Sequence, residues 1–255
     1  MGGRTIKTGQ SRWFVGYKKH TLRLWLAAHE PAVLLIPLVS WAAPANRGEA
    51  LFLRPSVQRC ARRFGWAPQW TVGDMAYISL SIARQLREEL QVAVITKLRP
   101  DMNWVEPYTA EGQPRCAQGE ALSWLGFEAA DQQQWFGASS PGELCPRCWQ
   151  ASSCPREFAY PAARHEILFG QVPHASWLAR HLLAKVRPWI EPAQSYEKHQ
   201  LGLGDFFLNS LSLAWTMCLL ADTVVLLRAC ALRRHPEAAL PLAELTPKQL
   251  SFHWP

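Results

Sequence analysis

The sequence predicts an α/β fold: a mixed sheet with packed helices, interrupted by a cysteine-bearing insertion. Three observations predict it. Strand-like and helix-like apolar patterns alternate through the first hundred residues. From Pro100 to about Pro161 that periodicity gives way to Pro, Gly, Gln and Cys. Helical patterning then returns and continues into a long apolar run.

The elements follow in order. Trp13 to His20 reads as a strand continuing toward Trp25, and Val33 to Trp41 as a second strand rich in Val, Leu and Ile. Pro44-Ala45-Asn46-Arg47-Gly48 is a turn. A helix follows Pro55, because Val57, Cys60, Ala61 and Phe64 fall on one face, and Gly65 ends it. Gln69 to Val72 is a short strand terminating at Gly73-Asp74. Ile78, Ile82, Leu86 and Leu90 mark a second helix with Arg84, Arg87, Glu88 and Glu89 outside. Val92 to Thr96 is a continuous apolar strand of the kind buried on both faces. Helical pattern resumes at Ser176 and passes Arg187, and a long apolar helix starts at Phe206. The expected organisation is a core in two parts, 1–99 and 166–235, a Cys-rich insertion at 100–165 and a tail at 236–255.

The composition narrows the function classes. Of 255 residues, 49% are hydrophobic and 18% charged, which excludes a disordered chain. The formal net charge is +7. The excess sits early: before Trp70 the acids are Glu30 and Glu49, against Arg4, Lys7, Arg12, Lys18, Lys19, Arg23, Arg47, Arg54, Arg59, Arg62 and Arg63. A polyanionic partner fits that distribution. Seven cysteines are too few for a disulfide scaffold of this length, and Met1-Gly2-Gly3-Arg4 leads into no apolar signal region. The expectation is a cytoplasmic protein. Phe206 to Leu227 is long enough for a membrane span, but Asn209, Thr216, Asp222 and Thr223 interrupt it. A core helix is the expectation there, with no membrane partner.

Four groups of residues could carry chemistry. Asp74 lies at the carboxyl end of a strand, where α/β sheets place their sites, although an Asp there also caps a following helix. Arg187, Glu191 and Lys198 are spaced to share one helical face, which suits a divalent ion and phosphates together or, more plainly, a surface ion-pair face. Cys116, Cys145, Cys148 and Cys154 all fall in the insertion, and their types match a structural Zn²⁺ site, with His165 as a substitute ligand. A redox pair or unbridged thiols are the alternatives. Cys60, Cys218 and Cys230 sit in apolar helical patterns and are expected in the core. Finally, Lys18, Lys19 and His20 form a basic strand that reads either as a DNA-backbone contact or as an edge strand guarded by lysines.

Together these segments resemble the DDE transposases of bacterial insertion sequences, whose catalytic domain is ribonuclease H-like. Gly16-Tyr17-Lys18-Lys19-His20 resembles that family's Gly-Tyr-Lys-x-His strand, and Pro44-Ala45-Asn46 its Pro-Ala-Asn turn. Val72-Gly73-Asp74-Met75-Ala76-Tyr77 resembles the segment of the second catalytic acid, with Ala76 in place of the usual glycine. Arg187, Glu191 and Lys198 match three positions of the signature around the third acid, whose tyrosine position holds Ala184.

The resemblance implies DNA strand cleavage and strand transfer at two Mg²⁺ ions about 3.5–4 Å apart. It makes Asp74 and Glu191 the metal ligands, and Arg187 and Lys198 phosphate contacts near the cut. It implies transposon ends and target DNA as partners, a nucleoid location, and a homodimer as an open assembly. The family's first catalytic Asp has no counterpart, because no Asp precedes Asp74. The expectation is therefore a reading frame beginning inside the catalytic domain, with impaired catalysis. A non-catalytic, DNA-binding regulatory remnant is the alternative.

Overall fold

The structure is a computed structural model that describes residues 2–5, 11–14, 16–27, 33–99, 102, 107–138, 152–203 and 210–234. Among them are nine strands and six α-helices, in a mixed α/β arrangement. The strands form four small sheets rather than one continuous sheet. The chain divides into two units, one of Met1–Trp66 with Pro188–Pro255, the other of Ala67–Arg187.

In the first unit, β1 (Gly2–Thr5) pairs antiparallel with β2 (Ser11–Phe14), and β3 (Tyr17–Ala27) with β4 (Val33–Pro44). The expected strand from Trp13 toward Trp25 is therefore two strands in two sheets. Gly16 stands just before β3, and its carbonyl accepts the Ala45 N–H at 2.9 Å at the open end of the β3–β4 pair. Opposite Leu22 stands Val39, but opposite Arg23 stands Pro37, so Leu38 is the extra residue of a bulge. Proline has no N–H for the ladder, and a bulge is where a strand tolerates it.

Helix α1 (Leu53–Phe64) buries Val57 and Cys60 completely, and Gly65 ends it in the left-handed conformation at φ 73°. Ser56 secures it by accepting from Trp41 Nε1 at 2.9 Å and donating to the Phe52 carbonyl at 2.6 Å. Phe64 was expected on the buried face. It lies instead in the last turn, 41% exposed, with its ring 6.3 Å from that of Trp66.

Helix α5 (Ile190–Ser195) runs into a π-helical turn at Tyr196–Gln200, closed by the Leu201 N–H on the Tyr196 carbonyl at 3.3 Å. Pro192 is tolerated because the first-turn N–H groups have no intrahelical acceptor.

Helix α6 (Leu211–Arg234) packs on β4 through Ala214 and Cys218 against Ala42, with the Trp215 and Trp41 rings 5.8 Å apart. By length and composition it could cross a membrane. The expectation of a core helix needs correction: only 22% of its most apolar stretch is buried. Apolarity all round a helix does not say which face is covered. Cys230 is accordingly exposed, whereas Cys60 and Cys218 are buried as expected.

In the second unit, β5 (Trp70–Gly73) and β6 (Ala93–Thr96) are parallel, connected through helix α2 (Leu80–Leu90). The segment expected as an insertion, 100–165, contributes β7 (Leu122–Glu128), β8 (Gln133–Ala138) and β9 (Glu157–Pro161), an antiparallel sheet in that order. Helices α3 (Glu166–Phe169) and α4 (Trp177–Lys185) follow, the latter capped by Ser176 Oγ accepting the Ala179 N–H. Leu122, Phe136, Leu168 and Phe169 form the core, with the Tyr160 and Phe169 rings stacked at 4.7 Å.

Arg87 was expected outside α2 and is 2% exposed. Its Nε reaches Glu166 Oε1 at 3.0 Å and its Nη1 reaches Gln132 Oε1 at 2.5 Å. A charge this far from water persists because both faces of the guanidinium fork are answered.

Candidate functional site

Asp74 follows β5 directly, at the carboxyl end of the parallel pair. Its Oδ1 accepts the Met75 N–H at 2.8 Å and so caps the short helical turn Met75–Tyr77. The same oxygen accepts from Arg187 Nη2 at 3.2 Å. The Asp74 side chain remains 50% exposed, while Arg187 is 16% exposed. The structure thus brings together two of the residues singled out in the sequence: Asp74 caps a turn and presents a half-exposed carboxylate at the end of the parallel pair, beside Arg187. An Arg beside such a carboxylate supplies donors that a phosphate oxygen could also accept.

Glu191 and Lys198 belong to the first unit and are both exposed. A shared face for Arg187, Glu191 and Lys198 requires regular α-helical winding from Arg187 through Lys198, which Pro188 and Pro192 interrupt in the sequence. The chain instead runs through a 3₁₀ turn at Arg187–Trp189, α5 and the π-helical turn, so 3.6 residues per turn does not carry across.

The basic strand is largely turned inward. Side chains alternate along β3. On one side, Lys18 Nζ pairs with Glu49 at 2.9 Å, partly exposed, and His20 is 3% exposed and stacked on Phe52 at 4.2 Å. Burial lowers the His20 pKa, with Glu49 opposing and Lys18 adding to the shift. On the other side, Lys19 Nζ meets Glu197 at 2.9 Å and Asp222 at 2.5 Å, and Arg23 Nη2 meets Glu197 at 2.5 Å. This placement removes Lys19 and His20 from the surface expected to meet DNA.

Sequence reasoning missed this four-residue network. Two cations and two carboxylates, all largely buried, cancel one another's charge where water cannot. The legible signal was Asp222 itself: an acid inside an apolar run needs a cation once its helix packs down. Cys218 lies beside the network, and burial pushes its thiol up to about 11, with Lys19 opposing and the two carboxylates reinforcing. That thiol is no nucleophile at neutral pH.

Of the four insertion cysteines, Cys145 and Cys148 lie outside the described residues. Cys116 begins a tight turn, accepting the Gly119 N–H at 2.9 Å, and packs against the Leu122–Phe169 core. Cys154 is partly exposed. His165 Nδ1 faces the Leu168 N–H at 3.4 Å, and burial lowers its pKa. Among the described residues no three His, Cys, Asp or Glu side chains gather as a metal site. The described donors therefore do not by themselves fit either a zinc tetrad or a two-metal carboxylate centre.

No family model, curated protein or solved structure matches the chain.

Proposed function

We propose that the chain is a transposase catalytic-domain segment of the DDE, ribonuclease H-like type, which binds DNA and transfers strands poorly or not at all. The observation that carries this reading is the Arg187–Asp74 contact. Two segments 113 residues apart, each chosen because it resembles part of that family's catalytic signature, meet at the carboxyl end of a parallel strand pair.

In this reading Asp74 and Glu191 are the second and third acids, and Arg187 and Lys198 hold phosphates. When bound, Mg²⁺ would polarise the scissile phosphodiester. The chain supplies two of the three carboxylates such a centre uses, and the described donors do not complete it, so no step is derived through the ions. What the residues themselves do is hold phosphate: Arg187 by its guanidinium fork, Lys198 by its exposed ammonium. A structural Zn²⁺ on Cys116, Cys145, Cys148 and Cys154 belongs to the same proposal. Metal analysis of the purified chain checks it, near one zinc per chain supporting it and none refuting it.

The regulatory reading, DNA binding without cleavage, is favoured by α1. That helix carries Arg54, Arg59, Arg62 and Arg63 and no acid, and Arg62 and Arg63 are exposed in its final turns. One experiment separates the readings. Purified chain is incubated with DNA from the borders of its own element and Mg²⁺. Cleavage abolished by Asp74→Asn supports the enzyme; binding without cleavage, unaffected by that substitution, supports the regulator.

A further inference from the structure

We propose that the outward face of α6 pairs with the same face of a second copy of the chain. The face has a seven-residue repeat. Leu213, Leu220 and Leu227 are 47%, 54% and 65% exposed, and Leu219 and Leu226, also seven apart, are 50% and 39% exposed. Between these two ridges runs a strip of smaller exposed residues, Thr216, Thr223 and Cys230, again at intervals of seven. A 3.5-residue period is the signature of helix against helix, since it keeps one seam facing a partner helix over several turns. A lipid-facing surface needs no such period.

A second observation points the same way. Thr216 Oγ1 donates to the Ser212 carbonyl at 3.1 Å, and Thr223 Oγ1 donates to the Leu219 carbonyl at 2.9 Å. Both hydroxyls on the strip are satisfied by their own helix, so covering them with apolar side chains strands no donor. The leucine ridges can then interlock over the threonines as knobs into holes.

The area suits a pair. The exposed parts of these five leucines and Val224 come to on the order of 500 Å², at the upper end of what a monomer leaves bare. That is most of the roughly 800 Å² per partner in a stable complex. Charge fixes the orientation. Arg233 and Arg234 end the helix. Parallel pairing would crowd four guanidiniums together, whereas antiparallel pairing about Leu220 sets the two arginine ends about 40 Å apart at 1.5 Å per residue and also opposes the helix dipoles. A two-fold axis at Leu220 then sets Leu213 of one copy against Leu227 of the other.

The test uses the full chain and reads its mass by sedimentation equilibrium. The wild type is expected to be a dimer, and Leu220→Asp a monomer with unchanged far-ultraviolet circular dichroism. Leu213→Lys and Leu227→Glu should each give monomers, and the two combined should restore the dimer by pairing opposite charges across the axis. That recovery decides the matter even if a single variant loses helical signal. A monomeric wild type, a dimer that survives Leu220→Asp, or a combined variant that stays monomeric overturns the proposal. So does a monomeric wild type that floats with vesicles containing anionic lipid, which would make the bilayer the occupant.

Discussion

Arg187 donates to Asp74 Oδ1 at 3.2 Å, tying the chain just after α4 to the end of β5. The carboxylate is half exposed, so the pair contributes little to stability, under about 1 kcal/mol. Asp74→Asn should therefore leave the urea midpoint close to that of the wild type. A loss well above that range would make Asp74 a structural strut and weaken its assignment as a site residue.

The Lys19 network behaves in the opposite way. Removing its ammonium in Lys19→Met takes the cation from Asp222 and leaves Glu197 to Arg23, with both carboxylates largely buried. The expected cost is about 3–5 kcal/mol in urea unfolding. Adding Asp222→Leu should recover part of it, because the stranded charge is then gone. A small loss in the single variant would show that water reaches the cluster.

Gly170 is fixed by close approach. A Cβ there would stand 2.1 Å from the Glu166 carbonyl oxygen, a backbone atom that cannot step aside. Gly170 also accepts a hydrogen bond from buried Gln134 through its own carbonyl. Gly170→Ala should destabilise the chain by about 1–3 kcal/mol or more, read by thermal unfolding. A neutral result would mean that the turn after α3 relaxes freely.

Three histidines make stability depend on pH. His20, His165 and His174 all have pKa values lowered chiefly by burial. Unfolded, they take up protons near 6.5; folded, they resist until lower pH. The unfolded state therefore binds more protons below about pH 6.5, and stability falls as pH drops through that window, by at most about 1.4 kcal/mol per pH unit for each histidine. Urea unfolding at pH 7.5 and pH 5.5 checks this. His20→Phe should reduce the slope, since an uncharged ring can keep the stack on Phe52.

What was legible in the sequence was local. Val57 and Cys60 announced the buried face of α1, Gly65 its end, and Val92 to Thr96 a buried strand, because each depends on neighbours a few residues away. The inward turn of Arg87 was not legible, since its partner Glu166 lies 79 residues on. The same is true of Lys19, whose carboxylates arrive from α6 and the π-helical turn. At the candidate site, sequence resemblance picked out both Asp74 and Arg187, but only coordinates set them in contact. The spacing of Arg187, Glu191 and Lys198 could not place them on one face, because sharing a face by spacing needs uniform winding and here the helix changes type twice.

The claim that the chain is a DNA-binding protein with an incomplete strand-transfer centre is tested most directly by fluorescence anisotropy on labelled duplex DNA across a salt series, with Mg²⁺ and a cleavage readout in the same samples. The account predicts binding that weakens steeply with salt, a log–log slope smaller by about two in Arg62→Ala/Arg63→Ala, and little or no cut product. No binding at low salt, or efficient cleavage by this chain alone, would contradict it.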